Sequence, residues 1–464
     1  MSKTFDVIIL GGGPAGYVCA IRCAQLGLAT AVVEREKLGG VCVNIGCIPS
    51  KALLHSAAVA RLVQHDAAAL GVGVGDVTLD FGVAMKRSRQ VADQNSKGVD
   101  FLMKKFKVTV IRGTGVLQPG RQVKVGDDVY TADKALVIAT GSRVKGLAQA
   151  GLELNKTSVI STDEALLLER VPPRLAIVGA GAVGMEFADI FNAFGSAITL
   201  IEVLPRVLPL EDADSSAALA RVYKKRGITV LAGAAVKGAR VEPVKVTLDV
   251  EAGGKTQAIE VETVLVAVGR AVNVEGIGLD QAGIQLSDHG FIKVDAQLRT
   301  TAAGVYAVGD VAGPPMLAHK GSREGVIVAE LIAGHTPHPI RYDNVPSVTY
   351  CHPEVASIGL TEEQCKERKL DYQVGKFPLT ASGRARAAGE TDGFVKIIRD
   401  KRYGEILGAH IVAAHASEMI HELVVARENE YTVEEVELAI HAHPTLSEAV
   451  AEAALDSMGR MMNA

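Results

Sequence analysis

The stretch Phe5-Asp6-Val7-Ile8-Ile9-Leu10-Gly11-Gly12-Gly13-Pro14-Ala15-Gly16 decides the fold of the N-terminal part of this chain. Its first half is an apolar run that is typical of a buried strand, and a glycine-rich turn follows at once. A helical stretch then reaches about Gly27, and Thr30-Ala31-Val32-Val33-Glu34 has the pattern of a second strand. The order strand, glycine turn, helix, strand predicts a βαβ unit with parallel strands.

The same unit occurs a second time, 168 residues further along the chain. Residues 175–178 are an apolar strand, and the turn Gly179-Ala180-Gly181-Ala182-Val183-Gly184 follows. A helix is expected to about Phe194, and residues 197–202 predict the next strand. The repeat indicates two dinucleotide-binding parts in one chain.

Each glycine turn has the residues that a dinucleotide requires. Glycine lets the backbone approach a pyrophosphate, whose negative charge then lies at the N-terminus of the helix. An acid ends the second strand of each unit, and its carboxylate can accept hydrogen bonds from ribose hydroxyls. The residues concerned are Gly11, Gly13, Gly16 and Glu34 in the first unit and Gly179, Gly181, Gly184 and Glu202 in the second.

Two such sites suggest two dinucleotides, and FAD with a nicotinamide cofactor is the natural pair. Glu202 bears on the choice of the second cofactor. A carboxylate at this position would repel the 2′-phosphate of NADP, so the sequence favours NAD.

Cys42 and Cys47 form a compact pair within Cys42-Val43-Asn44-Ile45-Gly46-Cys47. Two sulfurs make a poor zinc site, and no nearby Cys or His completes four ligands, so we expect no metal. Pro49 suits the first turn of a following helix, which would place Cys47 at a helix N-terminus, where a thiolate is stabilised. A redox-active disulfide is therefore the preferred interpretation.

Length and composition limit the class of protein. A chain of 464 residues is too long for one compact core, and its six cysteines are too few for a disulfide framework. The net charge is −4 and no dense Lys/Arg stripe is present, so nucleic acid is not an expected partner. Neither a secretory signal nor a run of about 18 apolar residues is visible, which excludes a membrane partner and favours the cytoplasm.

The segment from Gly39 to Lys51 resembles the active-site signature of the pyridine-nucleotide disulfide oxidoreductases, and within them the dihydrolipoamide dehydrogenases. The resemblance covers essentially the whole chain. It includes Ala139-Thr140-Gly141, Ala267-Val268-Gly269-Arg270, Gly309-Asp310, Met316-Leu317-Ala318-His319-Lys320 and His441-Ala442-His443-Pro444-Thr445-Leu446-Ser447-Glu448. Three residues next to the expected sites depart from the family pattern, namely Val41, Val272 and Cys351.

The resemblance implies the catalytic roles. Cys42 would exchange with the substrate dithiol, and Cys47 would face the flavin as a charge-transfer thiolate. His443 would be the catalytic base, because a dithiol attacks only as a thiolate and imidazole titrates in the required range. Glu448 can orient that ring, whereas His441 is expected to be structural.

The resemblance also implies the cofactor contacts. Glu34 would bind the adenosine ribose of FAD, Gly115 the adenine, Asp310 the ribityl chain, and Lys51 would lie near flavin N5, paired with Glu186. The remaining expected FAD residues are Thr140, Gly141, Ser142 and, against the isoalloxazine, Met316, Leu317, Ala318 and His319. The expected NAD residues are Gly179, Gly181, Gly184, Glu186, Glu202, Val236 and Gly269.

The expected fold class is α/β, with two Rossmann-like dinucleotide-binding domains and a C-terminal α+β dimerisation domain. We expect residues 1–150 and 273–343 to bind FAD, 151–272 to bind NAD, and 344–464 to form the dimer interface. The expected partners are a second copy of the chain, with active sites shared between subunits, and a lipoylated acyltransferase or carrier protein of a multienzyme complex.

The implied function is oxidation of protein-bound dihydrolipoyl groups by way of the cysteine pair and FAD to NAD⁺, in 2-oxo acid dehydrogenase complexes or the glycine cleavage system. Two alternatives stay open. A glutathione-type reductase of the same fold would carry basic residues where Glu202 stands. A non-catalytic flavin-bound structural subunit would not need both cysteines, His443 and Glu448.

Overall fold

A computed structural model of the chain describes residues 3–463. The strands in chain order are β1 (Lys3–Leu10), β2 (Thr30–Glu34), β3 (Thr109–Arg112), β4 (Gly115–Gln118), β5 (Gln122–Val125), β6 (Asp128–Ile138), β7 (Ser142–Val144), β8 (Val159–Ile160), β9 (Arg174–Val178), β10 (Ala197–Glu202), β11 (Thr229–Ala232), β12 (Ala234–Val241), β13 (Val246–Ala252), β14 (Lys255–Val261), β15 (Thr263–Val266), β16 (Arg270–Val272), β17 (Val305–Ala307), β18 (Ser347–Thr349), β19 (Glu354–Gly359), β20 (Tyr372–Pro378), β21 (Phe394–Asp400) and β22 (Ile406–Ala413).

The α-helices in chain order are α1 (Pro14–Gln25), α2 (Gly40–Ile45), α3 (Cys47–Arg61), α4 (Phe81–Lys105), α5 (Thr162–Ala165), α6 (Ala182–Ala193), α7 (Ala213–Lys225), α8 (Ala318–Ile332), α9 (Glu362–Glu367), α10 (Gly383–Ala388), α11 (Ala416–Glu428), α12 (Val433–Leu438) and α13 (Glu448–Ser457). In the part of the chain that the structure describes, none of them is long and apolar enough to cross a membrane.

The chain forms two compact units. The first comprises Met1–Ala52, Val83–Lys145 and Gly269–Ile340, and the second comprises Leu53–Gly82, Gly146–Val268 and Arg341–Ala464. The sequence predicts three parts, and that finer division stays a prediction.

The first unit is built on a seven-stranded sheet in the order β3-β2-β1-β6-β5-β4, with β17 also paired to β6. β1 runs parallel to β2 and to β6 from Tyr130 to Ile138, so that Leu10 lies beside both Val33 and Ile138. β6 is a continuous buried apolar run only from Ala135 to Ile138, whereas its first half mixes exposed and buried positions.

The core of the first unit lies on both faces of this sheet. One face packs on α1 and α8 through small side chains such as Cys19, Ala20 and Cys23, all of which are fully buried. The other face packs against the segments around Leu279 and Ile292. The central strands are buried on both sides, which explains why they read as continuous apolar runs.

The second unit contains three sheets. A parallel sheet has the order β11-β10-β9-β15-β8, and an antiparallel ribbon has the order β12-β13-β14. These two share a core that includes Ile201 and Leu248. The C-terminal sheet is antiparallel, in the order β18-β19-β22-β21-β20, and its core includes Ile411 and Leu423.

A buried lysine joins the C-terminal sheet to the start of α7 inside the second unit. Lys396 on β21 is 1% exposed, and its Nζ donates to Asp212 at 2.9 Å, to Asp214 at 3.0 Å and to Glu362 at 2.8 Å. Hydrogen bonds from Lys366 and from Lys396 lower the pKa of Glu362 to about 2. A buried ammonium requires such partners, because a single charge in the core is costly.

The lowered pKa predicts the acid stability of this unit. The pKa of a glutamate is ordinarily 4.5, which is its value in the unfolded chain. The contribution of Glu362 to the free energy of unfolding is therefore complete above that pH and is lost as the pH falls toward about 2. We expect Glu362→Gln to lose about 1–2 kcal/mol at neutral pH, since solvent screens part of the interaction. The free energy of unfolding of the variant should then fall less than that of the wild type between these two pH values.

Urea unfolding at a series of pH values measures this difference. Glu367→Gln, at an exposed position on the same helix, is the matched control and should follow the wild type. A Glu362→Gln profile parallel to the wild-type profile at all pH values would contradict the assignment.

Candidate active site

The first glycine turn is shaped by close backbone contacts. A Cβ at Gly16 would overlap the carbonyl oxygen of Gly11, and a Cβ at Gly11, where φ is +111°, would overlap the carbonyl oxygen of Ala139. Gly13 is different, because the nearest heavy atom to its Cβ position is the Cα of Gly40 at 3.9 Å. Gly11 and Gly16 are therefore required by close backbone packing, whereas Gly13 leaves open space at the N-terminus of α1.

The second turn repeats this geometry. A Cβ at Gly184 would overlap the carbonyl oxygen of Gly179, whose φ is +102°, while nothing lies within 4 Å of the Cβ position at Gly181. Gly13 and Gly181 are the N-caps of α1 and α6, and neither helix has a side-chain cap. Both helices thus present first-turn N–H groups to an open space, which suits a pyrophosphate.

The acids that follow each turn hold the glycine loops. Glu34 accepts the N–H of Gly12 at 2.7 Å and the N–H of Glu36 at 2.7 Å. Sequence reasoning assigned Glu34 to a ribose alone and did not find these backbone contacts. A carboxylate has about four acceptor positions, so two remain for ribose hydroxyls.

Glu202 makes the equivalent contacts in the second unit. It accepts the N–H of Ala180 at 2.7 Å and the N–H of Leu204 at 2.9 Å. Each of these groups stands 168 residues after its counterpart around Glu34, so the two cradles match atom for atom. Glu202 is 6% exposed, and its charge is therefore little screened by water.

The cysteine pair adjoins the first cradle. The N–H of Gly39 donates to the carbonyl oxygen of Gly12 at 2.8 Å, and α2, which carries Cys42, begins directly after it. Cys47 is the first residue of α3, where the helix N-terminus favours a thiolate. Gly46 makes the link between the helices tight, since a Cβ there would lie 2.9 Å from the carbonyl oxygen of Val41.

Cys42 is half-buried and Cys47 is exposed. A hydrogen bond with Cys47 raises the pKa of the Cys42 thiol, and burial and the charge of Cys47 raise it further. The positive charge of Lys51, one turn into α3, acts in the opposite direction. Proximity of the two sulfurs allows them to form a disulfide or to exchange with an external dithiol.

Asp310 lies in a single 3₁₀ turn, Gly309–Ala312. Ser142 donates a hydrogen bond to the Asp310 carboxylate, and Arg270 donates to the Ser142 hydroxyl at 2.6 Å. The sequence identified Asp310 and Ser142 but assigned no role to Arg270, although it stands in a quoted motif.

Thr140 and Gly141 are tied to Asn273, a residue that sequence reasoning missed altogether. The Thr140 hydroxyl donates to the carbonyl oxygen of Asn273 at 2.7 Å, and the Asn273 amide side chain donates to the carbonyl oxygen of Thr140 at 2.9 Å. The N–H of Asn273 donates to the carbonyl oxygen of Gly141 at 2.9 Å. No local sequence signal marks such a pairing, because the residues are 133 positions apart.

The remaining predicted FAD residues also lie in the first unit. Met316, Leu317 and Ala318 are half-buried and His319 is exposed at the start of α8. Gly115 is buried in β4, and a Cβ there would lie 2.5 Å from Leu10, so packing already explains this glycine. Its predicted contact with adenine stays a prediction.

The predicted NAD residues belong to the second unit, except for Gly269, which belongs to the first. Glu186 is 6% exposed and accepts the N–H of Tyr350 at 3.0 Å. Val236 is half-buried on β12 opposite Val250. The predicted pairing of Glu186 with Lys51 stays a prediction.

His443 and Glu448 form a pair in the second unit. His443 Nδ1 donates to Glu448 Oε1 at 2.8 Å, which leaves Nε2 as the basic atom of an 81% exposed side chain. The N–H of Thr445 lowers the pKa of Glu448, and the hydrogen bond with His443 lowers it further, so the carboxylate is charged near neutral pH. This is the arrangement that a base and its orienting acid require.

His441 has a different environment. Its Nε2 donates to Glu422 at 2.6 Å, and its Nδ1 faces the carbonyl oxygen of Ala439 at 2.8 Å. Both ring nitrogens are thus engaged by acceptors, and neither is available as a base. Within residues 3–463, no cluster of three or more His, Cys, Asp or Glu could hold a metal ion.

Two family descriptions match this chain. Residues 5–325 match the pyridine nucleotide-disulphide oxidoreductases, and residues 345–454 match the dimerisation domain of the same family, which supports a homodimer. Among similar proteins, the dihydrolipoyl dehydrogenase of Corynebacterium glutamicum is 44% identical over 473 residues, covering 100% of both chains. That of Mycobacterium tuberculosis is 43% identical over 465 residues, covering 99% of both chains.

Solved structures show the same architecture. A crystal structure of LpdA from Mycobacterium tuberculosis has 28% identity and a TM-score of 0.89, covering 97% of this chain and 99% of that chain. The HOCl-induced flavoprotein disulfide reductase RclA from Escherichia coli, as its Cu(II) complex, has 27% identity and a TM-score of 0.87, covering 98% of this chain and 99% of that chain.

The second cradle predicts the choice of nicotinamide cofactor. The buried charge of Glu202 should repel a 2′-phosphate, and close like charges cost several kcal/mol, so kcat/KM should favour NAD over NADP by about 100-fold or more. Glu202→Gln keeps the shape but removes the charge and should reduce this ratio by about tenfold or more. Glu34→Gln, the matched change in the first cradle, should leave the ratio unchanged. Equal kcat/KM for both cofactors in the unmodified protein would defeat the prediction.

Proposed function

Since the chain belongs to the pyridine nucleotide-disulphide oxidoreductase family, we propose that it oxidises protein-bound dihydrolipoyl groups to lipoyl groups with NAD⁺ as the final acceptor. It is a flavoprotein enzyme that uses FAD and NAD. The observation that carries the proposal is the cysteine pair joined to the first of two matching dinucleotide cradles.

The residues present fit both cofactors. The open space at Gly13 and the acceptor positions left on Glu34 suit the pyrophosphate and ribose of FAD, and the Asp310 carboxylate would accept hydrogen bonds from its polyol chain. The open space at Gly181 and the carboxylate of Glu202 suit NAD in the same way. FAD, when bound, supplies a two-electron carrier between a dithiol and a nicotinamide.

The cysteines of the chain carry out the thiol–disulfide exchange. One substrate sulfur, as a thiolate, attacks the Cys42 sulfur of the Cys42–Cys47 disulfide. A mixed disulfide with Cys42 forms, and Cys47 leaves as a thiolate at the N-terminus of α3. The second substrate sulfur then attacks the mixed disulfide, which releases a lipoyl disulfide and the Cys42 thiolate. The overall balance is dithiol plus NAD⁺ giving disulfide, NADH and one proton.

His443 is the base for these proton transfers. Its Nε2 accepts the proton of the substrate thiol, while Nδ1–H remains bonded to Glu448 and fixes the ring. The charged Glu448 carboxylate also stabilises the imidazolium that results. His441 cannot replace it, because both of its nitrogens are engaged.

The active sites are shared across a two-fold dimer in this proposal. His443 and Glu448 belong to the second unit and to the region matched by the dimerisation domain, whereas both redox cysteines belong to the first unit. Each site would use the cysteines of one chain and the histidine of the other, as a symmetric dimer permits.

The finer assignments follow from the same proposal. Residues 1–150 and 273–343 would bind FAD, 151–272 NAD, and 344–464 the second subunit. The macromolecular substrate would be a lipoylated acyltransferase or carrier protein, and the expected compartment is the cytoplasm. A glutathione-type reductase is disfavoured by the acid at Glu202, and a purely structural subunit by the geometry of His443 and Glu448.

The proposed reaction predicts both an activity and a thiol count. The protein should reduce NAD⁺ with dihydrolipoamide and should not reduce glutathione disulfide with NADPH. Of its six cysteines, four should react with a thiol reagent in denaturant when the enzyme is oxidised, and all six after reduction with NADH. Cys42→Ser should show five in both states and no dihydrolipoamide oxidation.

Cys351→Ser is the control, because this buried thiol takes no part in the exchange. It should lower both counts by one and retain activity. A wild-type count that does not change on reduction would rule out the redox pair.

The shared site predicts complementation between inactive variants. Homodimers of Cys47→Ser and of His443→Gln should each lose about 10²-fold or more of dihydrolipoamide turnover. In a mixed dimer one site carries both changes and the other carries neither. Random mixing yields about half heterodimers, so activity should recover to roughly a quarter of wild type.

Transfer of electrons from NADH to an artificial acceptor bypasses the dithiol and should survive in His443→Gln. Its loss would mean that His443 is structural. Failure of verified heterodimers to regain dithiol activity would rule out the shared site.

A further inference from the structure

Two fully buried charges on α8 have no part in the chemistry described above. Lys320 and Glu324 are each 1% exposed, one helical turn apart, and their charged groups lie 3.2 Å from each other. Burying an ion pair is costly, and an apolar pair of similar volume would often stabilise a core better. Because stability alone does not account for this pair, its contacts outside the helix indicate its role.

Both side chains bind the backbone of the loop that carries Asp310. Lys320 Nζ donates to the carbonyl oxygens of Gly309 at 3.0 Å and Gly313 at 2.9 Å. Glu324 accepts the N–H of Gly309 at 2.7 Å. The 3₁₀ turn is thus held at both ends by charge-assisted hydrogen bonds, which are stronger than neutral ones.

The helix that carries this pair is itself fixed against the first cradle. A Cβ at Gly325 would lie 2.5 Å from the carbonyl oxygen of Ala15, and a Cβ at Gly321 would lie 3.1 Å from the Cβ of Ala15. α8 and α1 therefore approach each other with no room for adjustment. The ion pair transmits this fixed position to the Asp310 loop.

We propose that Lys320 and Glu324 are a positioning pair that places the Asp310 carboxylate for the polyol chain of FAD and so sets how firmly the enzyme retains the flavin. The inference rests on the proposed FAD site. The pair touches neither substrate nor reacting atoms, and it acts through the backbone between Gly309 and Gly313. Ser142 donates a hydrogen bond to the same carboxylate.

The test separates flavin retention from stability. Lys320→Met leaves Glu324 buried without its cation, so the variant should be less stable and should release FAD about tenfold more readily. The double variant Lys320→Met/Glu324→Met buries no charge and should regain stability, yet it still lacks the loop contacts and should still release FAD about tenfold more readily. Flavin fluorescence after dilution of the holoenzyme measures release, and the thermal unfolding midpoint measures stability.

Lys396→Met is the matched control, since Lys396 is an equally buried lysine in the second unit. It should be destabilised and should retain FAD as the wild type does. Recovery of both stability and FAD retention in the double variant would overturn the proposal, because the pair would then be structural only.

A third variant keeps the test decisive if the double variant does not fold. In Glu324→Gln, one oxygen replaces two, so Lys320 and Gly309 compete for it, and FAD release should again increase. Wild-type retention in Glu324→Gln would overturn the proposal.

Asp310→Ala distinguishes this inference from the proposed function. If Asp310→Ala releases FAD while the variants of the pair retain it, only the positioning role fails. If Asp310→Ala itself retains FAD as the wild type does, the proposed flavin site is wrong, and the positioning role fails with it.

Discussion

The close approach of a helix backbone to the turn that precedes it is the constraint on which both halves of this protein depend. Gly16 and Gly184 have no side chain because the space is occupied by the carbonyl oxygens of Gly11 and Gly179. This contact fixes the helix axis over the end of the first strand, so that the N-terminus of the helix points into open space. A pyrophosphate can occupy that space only because the helix cannot move into it.

Carboxylates and ammonium groups then hold backbone loops that the glycine contacts leave unsupported. Glu34 and Glu202 each bind two N–H groups of the cradle that they serve, and still have acceptor positions for a ribose. In the interior, Lys320 donates hydrogen bonds to backbone carbonyl oxygens, and Lys396 donates hydrogen bonds to side-chain carboxylates. The two buried ammonium groups are surrounded by acceptors, as burial in a medium of low polarity requires.

The groups proposed for the redox chemistry belong to two different structural units. The cysteine pair is local to the first cradle, and its geometry follows from one tight link at Gly46 and the start of α3. The proposed base, His443, lies in the C-terminal region and is hydrogen-bonded there to Glu448. In the proposed mechanism the oxidation of a dithiol needs both groups, so that catalysis would depend on dimer assembly as much as on either site.

The sequence by itself determined the features that depend on neighbouring residues. The strands at Thr30–Glu34 and Ala197–Glu202 were predicted to the residue, because apolar runs bounded by turns are local signals. The glycine turns, the Cys42–Cys47 pair and the contact of His443 with Glu448 also depend on short spacings. Family membership was predicted correctly from the same motifs.

Only the tertiary structure decided which distant segments meet. Asp310 with Ser142, Thr140 with Asn273 and Lys396 with Asp212 are pairs separated by 168, 133 and 184 residues. The tertiary fold brings these residues together, and no local pattern in the sequence encodes which distant segments meet. From sequence alone a lysine is expected to be exposed to solvent, because an isolated charge is too costly to bury. Only the folded chain supplies the partners that make the burial of Lys320 and Lys396 possible.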